Sequence, residues 1–136
     1  MASRKLSDLS GPCRIMAEQF LDRCHEEGLE VLVTCTYRSL MEQAELYAMG
    51  RTKPGKIVTN AMPGQSMHNH SLNGLPAADA FDVVPMRDGK PVWGTSGADG
   101  ELWQRLGEIG RRCGLKWAGD WKRFKEFPHF QYEANP

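Results

Sequence analysis

The sequence predicts a single α+β domain in which about three helices pack against a small, mainly antiparallel sheet. Its length of 136 residues fits one domain, and neither a repeat nor a linker divides it. With 40% apolar and 25% charged residues, the chain can bury a core and does not resemble a disordered segment. Segments with the spacing of amphipathic helices alternate with short runs typical of strands, and this mixture predicts the α+β class.

The first part of the chain predicts a helix followed by a strand. From residue 10 to residue 27, apolar or small residues recur at intervals of three and four, and Gly28 supplies a stop. Residues 29–37 are rich in Val, Leu and Thr, which favours a strand that ends near Arg38.

A second helix and a long loop should follow. Ser39 and Glu42 fit a capping box, in which the serine side chain and the glutamate three residues later satisfy free backbone donors at the helix start. This helix should run to about Met49. Residues 51–76 are rich in Gly and Pro, so we expect a loop with one short strand near residues 56–59. Loops of that length inside a domain are often functional.

The second half predicts a hairpin, a helix and two closing strands. Residues 80–85 are typical of a strand, and Asp88-Gly89 is a two-residue hairpin signal that leads to Val92-Trp93. A third helix should begin at Asp99 and stop at Gly114. Two further short strands are expected, at residues 115–117 and 129–132.

Charge and hydropathy exclude several functional classes. Lys and Arg number 17, as do Asp and Glu, and zero net charge argues against binding nucleic acid through a basic face. No apolar run approaches the roughly 20 residues that cross a bilayer, so no stable membrane association is expected. Because the start of the chain lacks the apolar core of a secretory signal peptide, we expect synthesis in the cytoplasm.

The four cysteines lack the close pairs of a zinc ribbon or a redox motif. Cys13 and Cys24 share the first predicted helix, where their separation would be about 16 Å. That distance is far beyond the roughly 7 Å limit for a disulfide. Together with Cys35 and Cys113, they are expected to be reduced and mostly buried thiols.

Two histidines and one aspartate form a candidate zinc site. His68 lies in the long loop, Asp82 in the strand that follows, and His129 in an aromatic strand near the chain end. Two neutral imidazoles and one carboxylate would leave the fourth tetrahedral position open, as in catalytic zinc sites. Each residue alone is more simply an ordinary polar residue, and spacing does not decide between the two interpretations. His70 could equally serve a different pair of ligands.

A zinc hydrolase also needs a carboxylate that moves a proton from water to the leaving amine. Glu126 lies three residues before His129 and could reach the same metal if the chain turns at Phe127-Pro128. Otherwise it is a solvent-exposed acid, and Asp120 is a rival for the base.

Other side chains could bind substrate near this site. Arg38, at the end of the first strand, could direct its fork of donors at a substrate carboxylate or a developing oxyanion. Trp117 and Trp121 could wall a substrate groove, although a core or rim position is the commoner explanation for indoles near a short strand.

Four segments, in this order, resemble the VanY-like family of zinc D,D-carboxypeptidases and L-alanyl-D-glutamate endopeptidases, and in particular its small phage and prophage endolysins. They are Thr36-Tyr-Arg-Ser39 with Gln43 and Leu46-Tyr47, Ser66-Met-His68, Ala80-Phe-Asp-Val-Val-Pro85, and Trp117-Ala-Gly-Asp-Trp121 with Phe124-Lys-Glu-Phe-Pro-His-Phe-Gln131. The implied fold is the hedgehog and D-Ala-D-Ala-peptidase-like fold, with a small antiparallel sheet beneath the metal.

The resemblance also implies a set of site residues around one catalytic zinc ion. The zinc ligands would be His68, Asp82 and His129. Glu126 would be the general base, and Arg38 would stabilise the oxyanion or grip the substrate. Supporting hydrogen bonds would come from Ser66 and Gln43.

One departure from the family pattern concerns the aspartate. The family usually places it seven positions after the first histidine, whereas Asp82 is fourteen positions after His68, so residues 69–78 are expected to form an expanded loop. His70 and Asp79 are therefore competing ligands. Asp82 is preferred because the strand continues after it as in the family, and His68 because a serine precedes it at the expected spacing. His70 and Asp79 are then expected to line the cleft.

The function implied by the resemblance is hydrolysis of a peptidoglycan stem-peptide bond by an L-alanyl-D-glutamate endopeptidase that lyses bacteria. The alternatives are a D-alanyl-D-alanine carboxypeptidase with the same site and a non-catalytic, zinc-containing module that binds the cell wall. We expect a monomer whose catalytic domain spans residues 1–136, without a separate wall-binding domain. From the host cytoplasm, it would reach the periplasm or wall through a lesion made by a separate holin.

Overall fold

The computed structural model describes residues 2–134, which contain three α-helices and seven β-strands. The helices are α1 (Gly11–Glu26), α2 (Leu40–Ala48) and α3 (Gly97–Arg112). The strands are β1 (Glu30–Cys35), β2 (Ser71–Leu72), β3 (Leu75–Pro76), β4 (Ala80–Arg87), β5 (Lys90–Pro91), β6 (Lys116–Trp117) and β7 (His129–Gln131). Short 3-10 turns lie at Leu6–Asp8, Met67–Asn69 and Ala118–Asp120. This composition confirms the predicted α+β class with three helices.

Local capping explains where the helices begin and end. At the start of α1, the Ser10 hydroxyl accepts a hydrogen bond from the backbone N–H of Cys13. At the start of α2, Ser39 Oγ accepts from the Glu42 N–H at 3.1 Å, while Ser39 N–H donates to Glu42 Oε1 at 2.8 Å. Both halves of the predicted capping box are therefore present. Gly114, with φ of 91°, follows α3 as predicted.

Strand β4 is the centre of a five-stranded sheet. Strand β1 pairs with one edge of β4 and β7 with the other, β6 lies beyond β7, and β5 returns along β4 as a hairpin. Every pair is antiparallel. In this register, Asp82 lies opposite Cys35 on β1 and opposite His129 on β7. The sheet itself thus brings two of the candidate ligands side by side.

Helices α1 and α3 contact each other and pack over the sheet, where aromatic rings form the core. Phe20 on α1 contacts Phe81 and Phe130, with ring centroids 5.8 and 4.8 Å away. Phe81 and Phe130 are paired neighbours in the register, immediately beside Asp82 and His129. Because successive side chains of a strand point to opposite faces, the ligand pair lies on the face away from this aromatic core.

Residues 56–59 do not form the short strand that the sequence predicted. Instead, the Arg51 guanidinium donates hydrogen bonds to the Thr59 carbonyl and to Asn60 Oδ1, each at 3.0 Å. Side-chain hydrogen bonds therefore take the place of strand pairing in this loop.

The loop also contains a hairpin that was not predicted from the sequence. Strands β2 and β3 pair through a turn at Asn73 and Gly74, whose φ angles are 53° and 78°. Two positive φ angles favour an Asn-Gly turn. The hairpin at Asp88-Gly89 forms as predicted, but its return strand is Lys90–Pro91 and not Val92-Trp93.

The four cysteines are free thiols, and three of them are buried, as expected. Burial raises the pKa of both Cys13 and Cys24 to about 12, so these thiols stay protonated at neutral pH. Among residues 2–134, no helix combines the length and apolar character needed to span a membrane.

Candidate metal centre and active-site cleft

Three ligand atoms from three separate elements converge on one point of the cleft. His68 Nε2 comes from the 3-10 turn at residues 67–69, Asp82 Oδ1 from β4, and His129 Nδ1 from β7. Each of the three atom pairs is 3.2 Å apart. All three residues line an open cleft of about 1210 Å³.

This triangle fits a tetrahedral zinc ion. Ligand atoms at 2.0–2.1 Å from a tetrahedral metal lie about 3.3–3.4 Å from one another. The observed 3.2 Å edges agree with that spacing. Two imidazole nitrogens and one carboxylate oxygen are also a donor set that zinc prefers, and the cleft leaves room for a fourth ligand.

Hydrogen bonds behind each imidazole leave the converging nitrogens free to bind a metal. His68 Nδ1 donates to the Thr36 carbonyl oxygen at 2.8 Å, so the lone pair of the neutral ring is at Nε2. His129 Nε2 donates to Gln131 Oε1 at 2.7 Å, so its lone pair is at Nδ1. The amide of Gln131 is itself oriented, because its Nε2 donates to Glu133 at 2.7 Å. These are the outer hydrogen bonds that typically orient metal-binding histidines.

The charges in the triangle are strongly coupled. Burial alone would lower the pKa of His68, but the neighbouring Asp82 carboxylate outweighs burial and raises that pKa. Burial would raise the pKa of Asp82, but attraction to His68 and hydrogen bonding from His129 hold it well below its usual range. A metal entering this site therefore competes with a proton on His68.

Cys35 is a further candidate ligand, because its sulfur atom and ligand atoms of His68 and Asp82 lie within 4.8 Å of one another. However, Cys35 Sγ lies 3.6 Å from His68 Nδ1, the nitrogen that donates to the Thr36 carbonyl. The thiol is therefore placed behind the imidazole, and the set containing His129 fits a metal better.

Glu126 and Arg38 flank the triangle. Glu126 Oε2 lies 3.8 Å from His129 Nδ1, and its side chain is 46% exposed, so it can reach a bound substrate or water. Arg38 has a guanidinium nitrogen 3.9 Å from Asp82 Oδ2 and is only 16% exposed. Both line the cleft. The chain thus places one acid and one permanent cation beside the three candidate ligands.

Gln43 and Ser66 form hydrogen bonds with groups beside the triangle. Gln43 is fully buried, accepts a 2.9 Å hydrogen bond from the Arg38 guanidinium, and donates to the Ala61 carbonyl at 2.8 Å. Ser66 Oγ accepts from the backbone N–H of His68 at 3.2 Å. Gln43 therefore orients the Arg38 guanidinium, and Ser66 stabilises the 3-10 turn that carries His68.

The chain is similar to known peptidases in sequence and in fold. A sequence model of an M15 peptidase family, described as D-alanyl-D-alanine carboxypeptidase, matches residues 60–132. The chain is also 37% identical over 135 residues to the peptidoglycan L-alanyl-D-glutamate endopeptidase CwlK of Bacillus subtilis, covering 95% of this chain and 76% of that protein. The chain belongs to the M15 peptidase family. The family resemblance predicted from the four motifs is confirmed.

Other known proteins are also similar to this chain. The L-alanyl-D-glutamate peptidase of Listeria phage A118 is 29% identical over 134 residues, covering 96% of this chain and 41% of that protein. The Serratia marcescens L-Ala D-Glu endopeptidase ChiX superposes with a TM-score of 0.70 at 22% identity, covering 98% of this chain and 89% of that one. A VanY D,D-pentapeptidase E175A mutant in complex with Zn(II) gives 0.61 at 18% identity, covering 91% and 72%. These structures confirm the predicted D-Ala-D-Ala-peptidase-like fold.

The competing ligands of this M15 domain form a separate pair. His70 Nδ1 lies 2.6 Å from Asp79 Oδ2, and the other oxygen of Asp79 accepts from the Ser10 hydroxyl. Neither His70 nor Asp79 lines the cleft, contrary to expectation. Asp79 precedes β4 and is three residues from Asp82, so it is turned toward the start of α1 instead.

The two tryptophans and Asp120 also differ in placement. Trp117 is only 2% exposed and stacks between core rings, and it does not line the cleft that holds the triangle. Trp121 does line the cleft, with its ring centroid 5.5 Å from that of His129. Asp120 forms two 2.9 Å hydrogen bonds with Arg111 outside the cleft, so its geometry does not favour it as a base.

Sequence reasoning missed the groups that orient the two imidazoles. The Thr36 carbonyl is a backbone atom, and no side-chain pattern reports it. Gln131, however, could have been found, because residues two apart on a strand share a face and Gln131 follows His129 at that spacing on β7.

Proposed function

We propose that this protein is a zinc-dependent peptidoglycan hydrolase that cleaves the amide bond between L-alanine and D-glutamate in the stem peptide. The observation that carries the proposal is the 3.2 Å triangle of His68 Nε2, Asp82 Oδ1 and His129 Nδ1 at an open cleft. The names of the CwlK, phage A118 and ChiX relatives support this choice of bond.

The proposed metal site is held by His68, Asp82 and His129. When bound there, zinc supplies a Lewis acid that polarises the scissile carbonyl and lowers the pKa of its water. The Zn(II) complex of the VanY neighbour supports zinc as the metal. The protein's part is to keep both imidazoles in the required tautomer and to leave the fourth position facing the cleft.

Glu126 is the proposed general base. Its carboxylate faces the cleft within 3.8 Å of a ligand nitrogen. At that position it can accept a proton from the attacking water and then return the proton to the nitrogen of the leaving amine. Its side chain is 46% exposed, so a bound substrate or water can reach it.

Arg38 is the proposed stabiliser of negative charge on the substrate. Gln43 and the ion pair with Asp82 hold its guanidinium in place before substrate binds. A fixed cation needs little reorganisation as the carbonyl oxygen gains charge, and such preorganisation is the main source of electrostatic catalysis.

The bond that is cleaved can be tested by mass spectrometry of muropeptides from purified peptidoglycan digested with zinc-loaded protein. We expect fragments with a new D-glutamate amino terminus and a matching L-alanine carboxyl terminus. Release of D-alanine alone would favour the carboxypeptidase alternative, which the description of the matched family supports. Zinc-loaded protein that binds walls yet releases no peptide would favour a non-catalytic module.

We further propose that the protein acts on the cell wall as a lytic enzyme, supported by the phage relative. Under this proposal it is made in the cytoplasm, acts as a monomer, and reaches the wall with the help of a separate holin. Lysis of cells expressing the protein only when a holin is supplied would support this route.

A further inference from the structure

The segment that leads into β7 forms part of the cleft rim and is held at its far end. Glu126 N–H donates to the Ala118 carbonyl at 3.3 Å, and the Trp117 indole N–H donates to the Phe127 carbonyl at 2.8 Å. The three residues before this anchor, 123–125, are exposed and line the cleft. They lie next in sequence to the proposed base.

Two cations of this segment have no partner in the described chain. Within residues 2–134, neither Arg123 nor Lys125 forms an ion pair or a side-chain hydrogen bond. Arg38, the third Arg or Lys side chain that lines the cleft, differs because it lies 3.9 Å from the Asp82 carboxylate. Arg123 and Lys125 therefore present uncompensated positive charge to whatever occupies the cleft.

The backbone between these two cations adopts a conformation that aromatic residues rarely accept. Phe124 has φ of 52°, and its side chain is 71% exposed. The other described non-glycine residues with positive φ, Asn73 and Asp88, lie in hairpin turns, where this conformation is expected. Phe124 closes no such hairpin. Residues held in this region of φ and ψ often cluster at ligand-binding sites.

We propose that Arg123 and Lys125 recognise a free carboxylate of the substrate on the D-glutamate side of the scissile bond, and that Phe124 shapes the rim that presents them. This inference rests on the proposed function. A D-glutamate linked through its amine and one carboxyl group keeps its second carboxylate, close to the bond that is cleaved. Guanidinium and ammonium groups form charge-assisted hydrogen bonds with carboxylates and lose that interaction when the carboxylate is amidated.

The test uses two synthetic stem peptides that differ only in whether the second D-glutamate carboxyl group is free or amidated. We expect wild-type protein to have a higher kcat/KM for the free acid. In the double variant Arg123→Gln, Lys125→Gln, kcat/KM for the acid should fall about fivefold to tenfold through KM, with little change for the amide. Lys122→Gln is the matched control, since Lys122 is exposed in the same segment but does not line the cleft.

Binding is measured separately from turnover by calorimetry in the Glu126→Gln background. We expect the acid peptide to bind more tightly than the amide and this preference to weaken with added salt. Equal cleavage of both peptides by wild type and double variant would overturn the inference while leaving the proposed function intact. Failure of wild type to cleave either peptide, with zinc bound, would overturn the proposed function itself. If the double variant cleaved both peptides as the wild type does but digested whole cell walls more slowly, the two cations would attract the wall in general. The inference would then be wrong.

Discussion

Replacing Gln131 with methionine should weaken zinc binding without touching a proposed zinc ligand. His129 Nε2 faces away from the triangle and donates a hydrogen bond to the Gln131 amide oxygen at 2.7 Å. Among residues 2–134 it has no other side-chain or backbone acceptor. Methionine has a similar length but no strong acceptor. In the variant, His129 can shift its proton to Nδ1, the nitrogen that must bind the metal.

The size of the effect follows from the burial of the imidazole. The His129 side chain is 8% exposed, so water cannot readily replace the lost acceptor. A buried donor left unsatisfied costs about 1–3 kcal/mol. Since about 1.4 kcal/mol corresponds to a tenfold change in an equilibrium constant, we expect zinc affinity to fall about 10- to 100-fold, the range typical for outer partners of metal-binding histidines.

The assay is competition for zinc against a chromophoric chelator at constant pH. Gln104→Met is the matched control, because Gln104 is exposed on α3 and the chemical change is the same. We expect this control to bind zinc as the wild type does. A Gln131→Met protein with wild-type zinc affinity would refute the argument that Gln131 sets the tautomer of His129.

Three further predictions concern the base, the pH dependence and the core. Glu126→Gln should retain one equivalent of zinc but lose about 10²- to 10⁴-fold in turnover, measured by peptide release, and wild-type turnover would exclude Glu126 as the base. The ion pair with Asp82 raises the pKa of His68 above its usual value near 6.5. Zinc binding at pH 7 should therefore release a proton, and the apparent affinity for zinc should rise with pH. Calorimetry in two buffers of different ionisation enthalpy measures that proton, and identical heats would contradict the prediction. Gly107→Ala should destabilise the fold by about 1–3 kcal/mol in urea denaturation, since an added Cβ would overlap the Trp117 ring. Gly11→Ala, at a helical position with open space, is its control, and equal stability of the two variants would show that the indole does not require the glycine.

The stability of the metal-free protein should also depend on pH in a definite direction. The raised pKa of His68 contributes stability below its unfolded value near 6.5, and this is lost as pH rises. The lowered pKa of Asp82 contributes stability above its unfolded value near 3.8, and this is lost as pH falls. We therefore expect the ion pair to stabilise the metal-free fold most between about pH 4 and 6.5. Denaturation of Asp82→Asn protein across pH should lack this maximum.

Local signals in the sequence were sufficient for much of the fold. The Ser39 capping box and the Asp88-Gly89 turn involve residues close in sequence, and both form as predicted. Asn73-Gly74 is an equally local turn signal, and the hairpin of β2 and β3 forms there. The strand expected near residues 56–59 was wrong, because a strand depends on a partner, and the loop instead bonds to the Arg51 side chain.

The site depended on long-range pairing that short motifs do not encode. Asp79 and Asp82 satisfy the same Ala-x-Asp pattern, but only Asp82 lies within β4, directly opposite His129 on β7. Asp79 lies three residues before Asp82, ahead of β4, and its carboxylate pairs with His70. The choice between the two acids therefore follows from strand register, and before that register is known only the family resemblance separates them.

The burial of Trp117 likewise depends on contacts that its local sequence does not reveal. Its indole is buried because Gly107 and Gly119 both lack the Cβ that would collide with the ring. These two glycines lie in different elements, and neither glycine by itself predicts a pocket for an indole. Trp121, four residues later, lacks such a pocket and remains on the cleft.

X-ray absorption spectroscopy of protein loaded with one equivalent of zinc tests most directly whether His68, Asp82 and His129 hold the metal. We expect nitrogen and oxygen ligands at about 2.0–2.1 Å from the zinc, with imidazole scattering and no sulfur. A sulfur atom at about 2.3 Å would place Cys35 among the ligands and contradict the proposed centre.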